Sequence, residues 1–383
     1  MTYSWKQKLG AIGYDLPRFV WSMRAWSRQP WVFMRNRDER LSEPDRRPGT
    51  GDGVRCDWQW TSDLHLARVF PSLGRRLMKR ALRDWPIESR DQPAKQKTQV
   101  SPALSFIIGH RGKERLPHLL ATLRSIAAQR DVAFECIVVE QSISPEIRDQ
   151  LPSWVRYIHT PLPYAEMPYS RAWAFNVGAR AAHNEALVFH DNDMLVPAAY
   201  AKEIIERLEG GCAVVNLKRF IFYLSDDHAA AVLNGTELIE QRAPEAIVQN
   251  LEGGGSVAIT REAYFAIGGF DESFVGWGGE DNEFWERAGT RRVWPYAYLP
   301  IVHLWHASQT GKVASERATA KLYEERSGTP AAERIAELVA RDFGNPRAPY
   351  GCFPLINNSL QDGCSVELEV SRSSVPRHQS CAE

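Results

Sequence analysis

No stretch of the 383-residue sequence approaches the ~18 uninterrupted apolar residues that span a bilayer, so no membrane-crossing helix is expected. The N-terminus has two lysines and no apolar signal core, which argues against secretion. Six cysteines (Cys56, Cys136, Cys212, Cys352, Cys364 and Cys381) are scattered without C-x-x-C spacing. That excludes a zinc ribbon and a disulfide framework, and it fits a reducing, cytoplasmic compartment. Cys136 and Cys212 sit in apolar runs and read as core thiols. Internal repeats are lacking. Net charge is also lacking, with 47 basic and 47 acidic residues.

The balance hides an asymmetry. Residues 1–100 carry 20 Lys and Arg against 11 Asp and Glu, whereas the remainder carries 27 against 36. An acidic body argues against a dedicated nucleic-acid binder. The basic first part suits an anionic surface. Trp21, Trp26, Trp31 and Phe33, with neighbouring arginines, and the stretch 73–85 are candidates for peripheral contact with the inner face of a membrane. Helices packed on the following domain are the equal alternative.

What is present is a globular composition, 44% hydrophobic and 25% charged, ample for a core. Three zones follow: a basic, Trp-rich extension (1–100), a domain of alternating strand and helix patterns (101–345), and a tail expected to be mobile (346–383). Leu104-Ser105-Phe106-Ile107-Ile108 reads as a strand, Leu116 to Ala127 has helical spacing, and Phe134 to Val139 reads as a buried strand. Strand, helix and strand make a βαβ unit, hence an α/β fold with a mostly parallel sheet flanked by helices. Further strands are expected at 155–159, 186–190, 212–217 and 257–260, and helices at 171–182 and 197–208. Ligands bind outside the carboxyl ends of such strands. The loops there carry His110-Arg111, Glu140-Gln141 and Asp191-Asn192-Asp193.

Asp191 and Asp193 form a compact oxygen site for Mg²⁺ or Mn²⁺, or else an acidic turn. Gly276-Trp277-Gly278-Gly279-Glu280-Asp281 is more unusual: three glycines free a Trp to stack on a sugar, and two carboxylates open a helix ending near Gly289. A carboxylate kept ionised there can take a proton from an attacking hydroxyl. His303 and His306 share an ion only if the backbone turns between them. Arg111, Lys113, Arg115 and Arg171 supply cations of the kind a diphosphate needs. Gly253-Gly254-Gly255 is either a close backbone approach or a flexible joint; no Lys-Ser/Thr follows it, so it is no phosphate loop.

With these motifs the stretch 103–310 resembles the metal-dependent glycosyltransferases of the GT-A fold (Rossmann-like, nucleotide-diphospho-sugar transferases), in particular the β-1,4-galactosyltransferase and chondroitin-polymerase types. Phe106 to Arg111 is similar to their first-strand motif, with Gly109 in place of a proline. Tyr169-Ser170-Arg171-Ala172 followed by Asn176-Val177-Gly178 is similar to their sugar-nucleotide segment, and Asp191-Asn192-Asp193 to their Asp-x-Asp. The strongest likeness is Gly276 to Asp281.

The resemblance implies an inverting hexosyltransferase, of galactose or N-acetylhexosamine type, using a UDP-sugar and a glycan or other hydroxyl acceptor. It implies Asp281 as base with Glu280 orienting the acceptor, and Trp277, Glu280 and Asp281 at the acceptor. The donor would meet His110, Arg111, Glu140, Arg171, Asp191 and Trp277. Mn²⁺ (or Mg²⁺) would be held by Asp193, His303 and His306, with Asp191 beside them; His303 stands where the family has Met. Two alternatives remain open: a retaining GalNAc-transferase-like enzyme, whose motif ends in Asn where this chain has Asp281, and a non-catalytic sugar-nucleotide or carbohydrate-binding protein. No lectin domain is expected in the tail.

Overall fold

Seven consecutive buried residues, Leu104–His110, form the middle of a six-stranded sheet. A run apolar on both faces needs cover on both sides. The computed structural model describes residues 3–23, 29–33, 53–56, 58, 61–94, 103–307 and 318–347. In it this strand pairs in parallel with Phe134–Ser142, Ile107 opposite Ile137, and with Ala186–His190, Ile107 opposite Phe189. Helix Leu116–Ala127 makes the crossover, burying Leu119, Leu123 and Ile126. Its Pro117 sits in the first turn, where an amide hydrogen has no helical partner to lose. Arg156–Pro161 adds a fourth parallel strand. On the other side Ser256–Thr260 runs antiparallel to Ala186–His190, and Val214–Val215 antiparallel to it in turn. The mostly parallel, helix-flanked sheet is as expected.

From Leu104–His110 the chain first builds outward to one side and then returns to build the other. Strand order therefore reverses between Leu104–His110 and Ala186–His190, and the crevice beyond their carboxyl ends is where ligands enter such sheets.

A second, five-stranded sheet runs in the order Ser62–Asp63, Ala246–Gln249, Lys218–Tyr223, Leu299–His303, Met194–Leu195. Its existence corrects the single strand expected at 212–217. Only Val214–Val215 belongs to the first sheet; after Asn216 and Leu217 the chain enters the second as Lys218–Tyr223. The Asn216 side-chain amide donates to the Leu251 and Glu252 carbonyls (3.0 and 2.7 Å), anchoring the chain where it changes sheet. Likewise the helix expected from Pro197 begins at Tyr200, because the Pro197 carbonyl accepts from Gln129 and the Ala198 N–H donates to Pro86.

Described parts of the first hundred residues pair with the rest of the chain, one strand in the five-stranded sheet and one in a separate two-stranded sheet. Val54–Arg55 pairs with Tyr296–Ala297, and Ser62–Asp63 with Val248 and Gln249. The buried Arg219 guanidinium reaches back to the Val32 carbonyl (2.9 Å). Of the two equal readings of this region, packing on the following domain holds for Trp31 and for the stretch around helix Pro71–Asp84. Trp31 is buried, its indole N–H donating to Asp84 (2.9 Å). Helix Pro71–Asp84 turns Leu77, Met78, Ala81 and Leu82 into the core. The side chains of Trp21, Trp26 and Phe33, and all of the tail from residue 348, lie outside the described residues.

Candidate active site

Antiparallel pairing of Met194–Leu195 with the end of Leu299–His303 sets Met194 opposite His303, and the Leu304 N–H donates to the Asp193 carbonyl (2.9 Å). The register thus brings Asp193 beside His303. His306 follows after the strand has ended, so pleat alternation no longer separates the two imidazoles. One ligand atom from each of Asp193, His303 and His306 falls within 4.8 Å of the others. The His306 and His303 Nε2 atoms lie 3.3 and 3.9 Å from the Asp193 carboxylate. One carboxylate and two imidazoles suit Mn²⁺ and similar ions. Burial would raise the Asp193 carboxyl, but His303, a hydrogen bond from His306 and the Arg115 charge outweigh it and hold the group well below the usual carboxylate range.

Asp191, also expected at the ion, is turned away from this group. It accepts from Arg171 Nε at 2.7 Å. Burial pushes its carboxyl up to about 6 in spite of Arg171. Conversely, Arg115, read in the sequence only as one of several loop cations, donates to Asp193 at 2.5 Å and to Asn192 at 3.2 Å. A guanidinium occupies the side of Asp193 that a metal ion would share.

Trp277, 38% exposed, rides on its glycine loop. Gly279 precedes helix Glu280–Ala288 with φ +88°, a conformation L side chains rarely adopt, and a Cβ there would lie 2.8 Å from Tyr323 Cβ. The helix starts and stops where expected, with Gly289 at its end. Asp281 projects from its first turn onto the Gly253-Gly254-Gly255 backbone. A Cβ on Gly254 would stand 3.1 Å from Asp281 Oδ2, so this loop is a close approach. Gly109, in the proline's place, has a similar reason: a Cβ there would collide with the Tyr169 hydroxyl.

Arg171 ties these parts together. Ser170 caps its helix, accepting from the Trp173 N–H at 3.3 Å, which starts the helix with Arg171. The guanidinium lies over the Phe175 ring (4.5 Å) and donates to Asp191 and Asp281, with Glu280 at 3.9 Å. Its Nη2 is buried without a partner among the described residues. Burial disfavours the cation, but the three carboxylates more than compensate and keep Arg171 charged. Burial, reinforced by Asp281, pushes the Glu280 carboxyl up to about 7.

Arg111, Arg115, Arg171, Asp191, Asp193, Trp277, Glu280, Asp281, His303 and His306 all line one cleft of about 540 Å³. Two expected donor contacts do not reach it. His110 is buried, accepting from Asn192 (2.9 Å) and donating to the Gly112 carbonyl (3.0 Å), and burial pushes its pKa down to about 4. Glu140 is spent on the chain's own turn, accepting from the Glu146 N–H, Ser142 and Tyr157. Arg111 does line the cleft, with its guanidinium engaged by the Gln141 and Met167 carbonyls (3.1 and 2.5 Å).

Sequence reading passed over Lys218. Its buried amine donates to Asn216 (2.8 Å), the Glu252 carbonyl (2.9 Å) and the Ser256 carbonyl, clasping both ends of the glycine loop against Asp281. Burial pushes its pKa down to about 7. The available signal was a lysine within the apolar run from Cys212 to Tyr223.

Residues 110–262 match the glycosyl transferase family 2 model, and residues 248–294 match a model described as the N-terminal domain of galactosyltransferase. Among curated proteins, validoxylamine A glucosyltransferase of Streptomyces hygroscopicus subsp. limoneus is 24% identical over 231 residues, 52% of this chain and 50% of that protein. Beta-1,4-galactosyltransferase 5 of Mus musculus is 26% identical over 189 residues, 48% of this chain and 37% of that protein. The chain therefore spans half or less of the length of these relatives. Among solved structures, the catalytic domain of Drosophila beta1,4galactosyltransferase 7, in complex with xylobiose, aligns with TM-score 0.33 and 15% identity over 61% of this chain and 84% of that one.

Proposed function

We propose that the chain is a galactosyltransferase-like glycosyltransferase of the GT-A fold, an inverting, divalent-metal-dependent hexosyltransferase using a UDP-sugar, a reading supported by the family matches over residues 110–262 and 248–294. The observation that carries this reading is the meeting of Asp193, His303 and His306 with the Trp277 loop and Asp281 in one cleft. When bound, the cation would supply Lewis-acid neutralisation of the diphosphate.

The chain's own groups do the rest. Arg171, with one N–H pair unsatisfied, balances charge as the sugar–phosphate bond breaks. Asp281 takes the acceptor's hydroxyl proton while the acceptor oxygen attacks the anomeric carbon opposite the departing diphosphate. Glu280 orients the acceptor. Trp277 stacks on the sugar and keeps water out. The sugar is of galactose or N-acetylhexosamine type, the acceptor is a glycan or another hydroxyl compound, and the compartment is reducing and cytoplasmic. The two curated relatives are named for different hexoses, so a panel of UDP-sugars is the direct test of the donor.

Purified protein with Mn²⁺ should release UDP from one member of a UDP-sugar panel, faster when a hydroxyl acceptor is added and not at all in chelator. Tight UDP-sugar binding without any release would instead make the chain a binding protein.

A further inference from the structure

Helix Trp5–Met23 packs on the rest of the molecule with some of its described side chains buried and others exposed. Ala11 and Asp15 face inward, and the Asp15 carboxylate, 2% exposed, accepts the Leu66 N–H at 2.7 Å. Facing out are Trp5 (72% exposed), Leu9 (51%), Leu16 (38%) and Val20 (42%), with Ile12 half-buried. At about 100° per residue these five fall within a sector about 80° wide, and the row is roughly 24 Å long. Lys6 and Lys8 flank it on either side. An apolar stripe of this kind has one face too many for a helix that has already found its place.

Charge indicates what covers it. Residues 1–37 hold seven Lys and Arg and a single acidic residue, Asp15, which is the one turned inward. Pairing the stripe with a second copy would press two cationic segments together. An anionic leaflet instead attracts them, while the stripe enters the acyl boundary and the lysines extend to the headgroups. Among the described residues no helix is long and apolar enough to cross a membrane, so any lipid contact of this helix would run along the surface. We propose that the Trp5–Val20 face docks the protein onto an anionic lipid surface. The Asp15–Leu66 bond fixes the helix to the stretch whose Thr61 lines the cleft, so docking also orients the cleft.

The test is co-sedimentation of the full chain with phosphatidylcholine vesicles containing or lacking 30 mol% phosphatidylglycerol, with sedimentation velocity alongside. Binding should be about tenfold stronger to the anionic vesicles and should weaken with salt. Leu9→Asp with Leu16→Asp should abolish that preference without changing the melting temperature, since both residues point outward. Equal partition to both vesicles, or unchanged binding by the double variant, overturns the proposal. So does a concentration-dependent dimer that the double variant dissociates, which would assign the stripe to a second copy.

Discussion

Arg171 donates to the carboxylate of Asp281, so the clamp proposed for the donor and the base proposed for the acceptor neutralise each other in the free protein. A donor diphosphate that draws the guanidinium toward itself would loosen this pair and open the Asp281 carboxylate to the acceptor hydroxyl. Asp281→Asn should keep UDP-sugar affinity and lose transfer by ~10²–10⁴ in kcat. Calorimetric titration beside a turnover assay checks both halves, and wild-type-like turnover would take the base role from Asp281.

His306→Ala removes one of three ligand groups, so the Mn²⁺ concentration giving half-maximal activity should rise at least ~10-fold while UDP-sugar specificity stays the same. Chelation should abolish wild-type activity, and added Mn²⁺ should restore it.

Arg115 competes with any cation for Asp193. Arg115→Gln should therefore bind Mn²⁺ about tenfold more tightly in the absence of nucleotide, a coupling of ordinary size. Electron paramagnetic resonance of free Mn²⁺ reads this directly. Unchanged affinity would mean that the guanidinium leaves Asp193 at no cost.

Glu280 predicts a pH dependence of stability. Burial, then Asp281, raises its carboxyl from 4.5 to about 7 in the folded protein. Below pH 4.5 both states are protonated and the group is neutral to folding. Between pH 4.5 and 7 the unfolded chain ionises first, so stability falls as pH rises, by about 1–3 kcal/mol. Melting temperatures of Glu280→Gln should fall less over that window than those of the wild type.

Gly254→Ala tests the close approach. The added methyl would meet Asp281 Oδ2 at 3.1 Å, tighter than comfortable contact. We expect kcat to drop roughly tenfold, with melting temperature and Mn²⁺ affinity nearly unchanged, because a slightly displaced base costs rate before it costs fold.

The sequence disclosed the first sheet well, since strands buried on both faces announce themselves as apolar runs such as Leu104 to Ile108. The second sheet was hidden. Lys218–Tyr223 begins with two charged residues whose partners include Glu252 and Asn250 from a distant loop, so the apolar pattern alone did not assign it to a different sheet. The site was legible where a motif carried it, at Asp193, Trp277, Glu280 and Asp281. It was not legible where the loop geometry decides. His110 and Glu140 stand at the ends of the correct strands but turn inward, and Arg115 turns toward the acidic triplet only because a glycine-led turn precedes it.

The pairing of Met194 with His303 spans more than a hundred residues of chain. Such a contact is entropically expensive to close and tends to form late in folding. During synthesis the proposed cation centre therefore cannot be completed until His306 has emerged and the Leu299–His303 strand has docked. On the proposed metal reading, a chain that has not docked this strand lacks the two imidazoles beside Asp193, so tight Mn²⁺ capture would report that the strand is in place.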